Sequence, residues 1–309
     1  SLSETLDDVG GLAQIKEDLQ TSVIVPLQTP HIFFDARLRG IDVPRGILFS
    51  GPPGTGKTML ARAIAKETSA TFIAVTLSML ENKYYGETSK LIQSLFALSR
   101  KLAPTILFFD EIDGMLKERR ADDQSVSYGF KTELLTQMDG FRKADQSAVM
   151  VIACTNAADR LDPAVRRRLP KLFEVGLPSR PERRQILALL TRDERRLRAS
   201  TLDALADDTE GWSGSDLADL FRAAASHRSR RLMHHSSTFR KSLPATRDRL
   251  TDQQIAALNV RIPALLPADW SYALAHIKQK ARGHLDSKPS IEESLRSLLG
   301  ERRDAPAAA

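Results

Sequence analysis

Gly46-Ile47-Leu48-Phe49-Ser50-Gly51-Pro52-Pro53-Gly54-Thr55-Gly56-Lys57-Thr58 decides the fold of this 309-residue chain. An apolar, strand-like run enters a stretch that fits the pattern G-x-x-x-x-G-K-[ST] at every fixed position, and a helical pattern from Met59 to Thr68 follows. That strand–loop–helix context separates a phosphate loop from a Gly/Pro turn that matches by accident. Glycines at 51, 54 and 56 let the backbone curl and aim N–H groups at phosphate oxygens, and the helix N-terminus adds partial positive charge. Lys57 has the reach for terminal phosphates, and the Thr58 hydroxyl suits Mg2+.

Outward from this loop, strand and helix signals alternate. Strand-like runs fall at Ile47–Ser50, Phe72–Val75, Ile106–Phe109, Val149–Cys154 and Phe173–Val175, with helical patterns near 59–68, 89–102 and 126–138 between them. This rhythm predicts an α/β fold, a five-stranded parallel sheet flanked by helices. Ile106-Leu107-Phe108-Phe109 is apolar at every position, as a strand buried on both faces must be. After Pro178 helical periodicity takes over: Ile186, Leu187, Leu189 and Leu190, then Leu202 and Leu205, then Leu217, Leu220, Phe221 and Ala224. Gly211–Asp216 separates two of these helices, and a Ser or Asp within it caps the next. A helix pair is expected near 269–282 and 290–300. The domains are therefore read as 1–178, a nucleotide-binding α/β domain, and 179–309, a smaller helical lid.

Composition narrows the class. Hydrophobic residues make up 42% and charged residues 27%, the balance of an ordinary globular chain. No apolar run reaches the ~18 residues of a membrane span. Ser1-Leu2-Ser3-Glu4 does not open a signal peptide. The chain starts without methionine, and a preceding anchor or targeting segment is expected. The one cysteine, Cys154, sits in an apolar run and reads as a small buried hydrophobe. The six histidines have no ligand spacing, which argues against a transition-metal site. Net charge is +6; residues 1–178 balance at 22 basic and 22 acidic, and 179–309 carry 23 against 17. The excess reads as solvated helix faces or as a surface for an acidic partner, an anionic membrane or nucleic acid. Aromatics are scarce there, so no base-stacking nucleic-acid platform is expected.

Phe108-Phe109-Asp110-Glu111 ends a buried strand 53 residues beyond Lys57. Asp110 is placed to reach a Mg2+ shell beside Thr58, and Glu111 to polarise a water for attack on a γ-phosphate. Ligands of open α/β sheets gather at such strand ends. The next strand ends Thr155-Asn156; the asparagine either orients the same water or caps a turn. Leu161-Asp162-Pro163-Ala164-Val165-Arg166-Arg167-Arg168-Leu169 brings three arginines together, the residue type that neutralises a transition-state phosphoryl group from a neighbouring protein.

In the order and spacing of these motifs the chain resembles the AAA family of AAA+ ATPases, from Asp7-Asp8-Val9-Gly10-Gly11-Leu12 to Asp269-Trp270-Ser271-Tyr272-Ala273-Leu274. The resemblance implies ATP and Mg2+ as ligands and a ring hexamer as the active form. It makes Asp110 and Glu111 the Walker B pair and Asn156 sensor one. It makes Arg167 and Arg168 arginine fingers that act with Lys57, Glu111 and Asn156 in catalysis. Pro53, Gly54, Thr55, Gly56, Lys57, Thr58 and Met59 would surround the nucleotide. Thr58 and Asp110 would hold the metal. Val9 and Gly10 would line the adenine pocket, and Gly214 and Ser215 would close it. Asp139-Gly140-Phe141 looks like the element that signals between subunits.

Arg167–Phe173, Leu177-Pro178 and Lys101–Pro104 look like the mitochondrial outer-membrane extraction ATPases of the Thorase type, in or near the clade of katanin and spastin. Two stretches depart from that group: Asn82–Glu87 has Tyr where it prefers Trp, and Gln124–Phe130 lacks its His-Glu-Ala. By itself, Tyr84-Tyr85 either anchors a helix or exposes an aromatic. Neighbouring residues cannot both face one core. The resemblance makes Lys83, Tyr84 and Tyr85 a pore loop that grips polypeptide. It implies extraction of tail-anchored membrane proteins through a hexameric pore, at the mitochondrial outer membrane and the peroxisome, through an anchor before Ser1. Microtubule severing is the alternative, and a nucleotide-switched assembly module the third reading.

Overall fold

In the computed structural model, residues 4–29, 44–76, 87–115, 127–144, 148–194, 197–235 and 264–286 are described. They fall into two compact units. One runs to Arg192 and takes in Leu202–Ala218; the other comprises Asp193–Thr201 and the chain from Asp219 on.

The first unit is built on five parallel strands: β1 (Gly46–Ser50), β2 (Thr71–Val75), β3 (Thr105–Phe109), β4 (Val149–Thr155) and β5 (Lys171–Glu174). Their order is β2-β3-β4-β1-β5. β3 and β4, the most apolar runs, are buried at every position. Register is continuous across the centre, with Phe49 opposite Cys154 and Phe109 opposite Ala153.

Successive residues of each strand face opposite sides, so two cores form. On one side Ile47, Phe49, Ile106, Phe108, Ile152 and Cys154 pack on Leu60 and Ile64 of α3 (Lys57–Glu67). The same core takes Leu19 of α1 (Ala13–Leu19), and Val23 and Ile24 of a π-helical turn that leads into α2 (Val25–Gln28). On the other side Leu48, Leu107, Phe109, Val151 and Ala153 meet Ile92 and Phe96 of α4 (Glu87–Lys101) and Leu134 and Met138. The last two belong to α6 (Ser127–Ala144); α5 (Ile112–Met115) is a single turn after β3. α7 (Pro163–Arg168) adds Val165 to this second core.

Bounds shift from the sequence reading in two places that matter. α3 starts at Lys57, not Met59, because Gly56, in the left-handed region at φ 98°, ends the loop directly before the charged residue. α6 continues past 138 through Asp139-Gly140 to Ala144, so that glycine does not stop the helix.

Beyond the sheet come α8 (Arg180–Leu190), α9 (Ala199–Asp208), α10 (Gly214–His235) and α11 (Pro267–Asp286). Ser179 and Glu182 close a capping box on α8. Arg183, buried, donates from Nε and Nη2 to the Ala206 carbonyl at 3.1 and 2.8 Å, satisfying the last turn of α9. Within the second unit, Asp269 of α11 is fully buried and accepts from Arg231 of α10 at 2.8 Å, with His227 Nδ1 at 2.7 Å from its other oxygen. The helix expected near 290–300 lies outside the described residues.

Candidate functional site

The loop from Gly51 to Gly56 joins β1 to α3 at the C-terminal edge of the sheet. Gly51, Gly54 and Gly56 have φ of 150°, 76° and 98°. A Cβ on Gly51 would lie 2.0 Å from the Val175 carbonyl oxygen, while one on Gly56 would meet nothing within 4 Å. The first glycine is thus required by close backbone approach, and the last leaves open space beside the α3 N-terminus, the end of a helix that favours negative charge. Thr55 is buried and donates to the Pro52 carbonyl at 2.9 Å. Pro53 is exposed, and Met59 packs against the first core.

Lys57 is 8% exposed. Its Nζ donates to the carbonyls of Gly51 and Pro52, both at 2.7 Å, and to Asn156 Oδ1 at 2.9 Å. Burial lowers its pKa, and the carboxylates of Asp110, Asp113 and Glu111 oppose that. A cation held by neutral oxygens at a helix N-terminus suits an incoming polyanion. Asn156 contributes from the end of β4; its two side-chain N–H donors have no partner among the described residues.

Beside this, Thr58 Oγ1 donates to Asp110 Oδ2 at 3.1 Å. A hydroxyl and a carboxylate meeting at one point form an oxygen donor set that fits Mg2+. Asp110 Oδ1 accepts from the Glu111 backbone N–H at 3.1 Å. Glu111 is exposed and has φ 49°, a left-handed conformation that non-glycine residues seldom adopt. The turn after β3 thus carries local strain at the residue whose carboxylate was read as a base.

Two further contacts add to the sequence reading, which gives Asp113 no role and Asp139 only a place in the element that signals between subunits. Asp113 Oδ1 accepts from Thr155 Oγ1 at 2.8 Å and from the Asn156 N–H at 3.4 Å. The signal available in the sequence is its place three residues after Asp110. Asp139 takes a bidentate pair from Arg168, Nε to Oδ1 at 3.0 Å and Nη2 to Oδ2 at 2.6 Å. Its neighbour Arg167 is exposed. α7 presents these arginines in its last turn because Asp162, bound to Lys131, caps it by accepting from the Ala164 N–H at 2.7 Å.

Val9 is buried and its carbonyl accepts from Lys16. Gly10 lies against Ile186 of α8, where a Cβ would come within 2.5 Å of Cγ1. The Leu12 N–H donates to Glu182 Oε1 at 2.9 Å, pinning this segment to α8. Ser213 caps α10 through Asp216, and the Ser215 N–H donates to the Gly54 carbonyl at 3.0 Å. Gly214 and Ser215 therefore touch the phosphate loop itself. Lys83, Tyr84 and Tyr85 lie outside the described residues.

Residues 47–177 match the ATPase family associated with various cellular activities (AAA), and residues 200–242 match the AAA+ lid domain. The chain belongs to the AAA ATPase family. Among AAA relatives, it is 40% identical over 230 residues to the outer mitochondrial transmembrane helix translocase of Danio rerio, covering 74% of this chain and 60% of that protein. It is 42% identical over 227 residues to spastin of Dictyostelium discoideum, covering 73% and 34%. It is 45% identical over 216 residues to the proteasome-activating nucleotidase of Aeropyrum pernix, covering 68% and 51%. The AAA chain thus spans less than two thirds of each of these relatives. Among its described residues no helix is long and apolar enough to cross a membrane.

Proposed function

We propose that this AAA chain hydrolyses ATP to draw membrane-anchored, tail-anchored proteins through a hexameric ring, with an α/β nucleotide domain at 1–178 and a helical lid at 179–309. One observation carries the ATPase reading. The ends of β1, β3 and β4 bring Lys57, Asn156, Thr58, Asp110 and Glu111 to one edge of the sheet, with Lys57 bonded to Asn156 and Thr58 to Asp110. The translocase reading rests on identity with the outer mitochondrial transmembrane helix translocases.

In this reading the loop N–H groups and Lys57 bind the phosphates. Thr58 and Asp110 hold Mg2+, which when bound neutralises charge on the phosphate oxygens. Glu111 accepts a proton from water as its oxygen bonds to the γ-phosphorus and the bond to the bridging oxygen breaks, releasing ADP and phosphate. Asn156 orients that water with its side-chain N–H donors. Arg167 and Arg168 act on the neighbouring subunit's site, Val9 and Gly10 line the adenine pocket, and Gly214 and Ser215 close it. Lys83, Tyr84 and Tyr85 grip the client. Association with the mitochondrial outer membrane or peroxisome comes from a segment before Ser1.

Reconstitution tests both layers. Wild type should remove a tail-anchored reporter from liposomes only with ATP. Glu111→Gln should bind ATP and lose turnover by about 10²-fold. Near-normal Glu111→Gln turnover would sink the hydrolytic assignment. Similarity to spastin supports a second reading, microtubule severing; shortening of microtubules without reporter extraction would select it.

A further inference from the structure

Phe109 opposite Ala153 is the last paired position between β3 and β4. The turn with Asp110 and Glu111 and the terminus with Thr155 and Asn156 both lie beyond it. No ladder hydrogen bond holds these ends together where the chemistry is read. Ile112, 1% exposed, anchors the single turn of α5 in the second core. Its neighbour Asp113 reaches across to β4: Oδ1 accepts from Thr155 Oγ1 at 2.8 Å and from the Asn156 N–H at 3.4 Å. The same Thr155 hydroxyl accepts from the Ala157 N–H at 3.0 Å, fixing the backbone on both sides of Asn156. Asn156 in turn meets Lys57 at 2.9 Å.

We propose that Asp113 is a positioning residue for hydrolysis, clamping the Asn156 end of β4 to the turn that presents Asp110 and Glu111. This inference rests on the hydrolytic reading of the site. The reason is geometric. A water-orienting amide and a base on separate strand ends act on one water only if their separation is fixed to fractions of an ångström. A carboxylate is the stronger acceptor for that purpose, because charge-assisted hydrogen bonds hold more firmly than neutral ones. Asp113 touches neither substrate nor metal in this scheme.

The test compares turnover, ADP affinity (fluorescent nucleotide titration) and melting temperature in four variants. In Asp113→Ala, kcat should fall about tenfold or more while KM and the Kd for ADP stay within about threefold, the split expected when a ground-state site survives and transition-state alignment does not. Thr155→Val keeps the shape at Cβ and deletes one arm of the clamp; it should lower kcat in the same way. The double variant should be no slower than the worse single one, because both remove one interaction. Asp113→Asn keeps an acceptor at Oδ1 and should recover most of the turnover lost in Asp113→Ala. A purely structural acid would instead lower melting temperature, ADP affinity and kcat together. That pattern, turnover of Thr155→Val within about twofold of wild type, or Asp113→Asn as slow as Asp113→Ala overturns the inference. Should Asp113→Ala fail to fold, Thr155→Val and Asp113→Asn decide it. Glu111→Gln runs alongside. If it is inactive while Asp113→Ala is normal, the clamp alone is wrong; if it turns over normally, the hydrolytic reading falls and takes the clamp with it.

Discussion

Glu111 combines an exposed carboxylate with φ 49°. In that region a Cβ crowds the following carbonyl, a cost of about 1–2 kcal/mol that glycine does not bear. Glu111→Gly should therefore be more stable than Glu111→Ala by about 1 kcal/mol, the reverse of the ordinary order, with both inactive; paired urea melts and ATPase assays measure this. An Ala variant at least as stable as the Gly variant would mean the backbone relaxes there in solution. Cys154 supports the opposite kind of statement. It is buried in the central strand, and burial pushes its thiol pKa up, first by desolvation and then through the Asp110 charge. The thiolate is the nucleophile, so the native chain at pH 8 should react with a thiol reagent at least about 100-fold more slowly than the chain in guanidinium. Fast native labelling would mean the β4 core opens readily. Neither residue declares its state in sequence. Glu111 reads only as an acid after a strand, whereas the Cys154 reading needs nothing beyond its apolar neighbours.

At the scale of elements, the two glycines that flank the loop should separate fold from binding. Gly51→Ala drives a methyl to 2.0 Å from the Val175 carbonyl, and that backbone is held in turn by the Val175 N–H to Ser50 at 2.7 Å. Neither side can yield, so the variant should lose about 2 kcal/mol or more of stability. Gly56→Ala has open space and only its φ to contend with. It should cost about 1–2 kcal/mol while weakening nucleotide binding, since the methyl enters the space at the α3 N-terminus. Chemical denaturation with nucleotide titration distinguishes the two, and equal stability losses with unchanged binding would contradict the assignment of that space. Such features also show what sequence can carry. β3 and β4 were legible because strands buried on both faces must be apolar at every position. The phosphate loop was legible because its fixed residues are set by backbone geometry. The start of α3 was hidden by polar Lys57 and Thr58. The length of α6 was hidden by Gly140, which looks like a stop signal and is not one. The Arg168–Asp139 pair was out of reach, because it joins two helices 29 positions apart and neither residue type names its partner. Asp113 was visible as a letter, but its contact depends on where the β4 end arrives.

For the whole molecule, assembly is the governing question. Arg168 is bound within its own chain to Asp139. If it serves a neighbouring subunit, that pair must exchange on assembly. Activity per subunit should then rise with protein concentration, Asp139→Ala should alter the assembly midpoint, and Arg167→Ala and Arg168→Ala should lose turnover while still binding nucleotide. Full turnover from a monomer at any dilution would refute action in trans. The proposed ring would do mechanical work only if something in its pore holds the client, and Tyr84 is the residue proposed for that. An aromatic ring touches side chains of almost any sequence through its apolar face and loses little rotamer freedom in doing so. A translocase needs that tolerance, because its track is whatever polypeptide enters. Tyr84→Ala should leave folding and basal ATP hydrolysis near wild type and abolish extraction of the reporter, and Tyr84→Trp or Tyr84→Phe should keep it. Were Tyr84 a core anchor, its removal would leave a cavity costing about 3–5 kcal/mol, and melting temperature and ATPase activity would fall together. Thermal stability, ATPase rate and reporter extraction measured on one preparation tell these apart: a stable, hydrolysing, non-extracting Tyr84→Ala protein places the residue on the client, and an unstable, inactive one places it in the core.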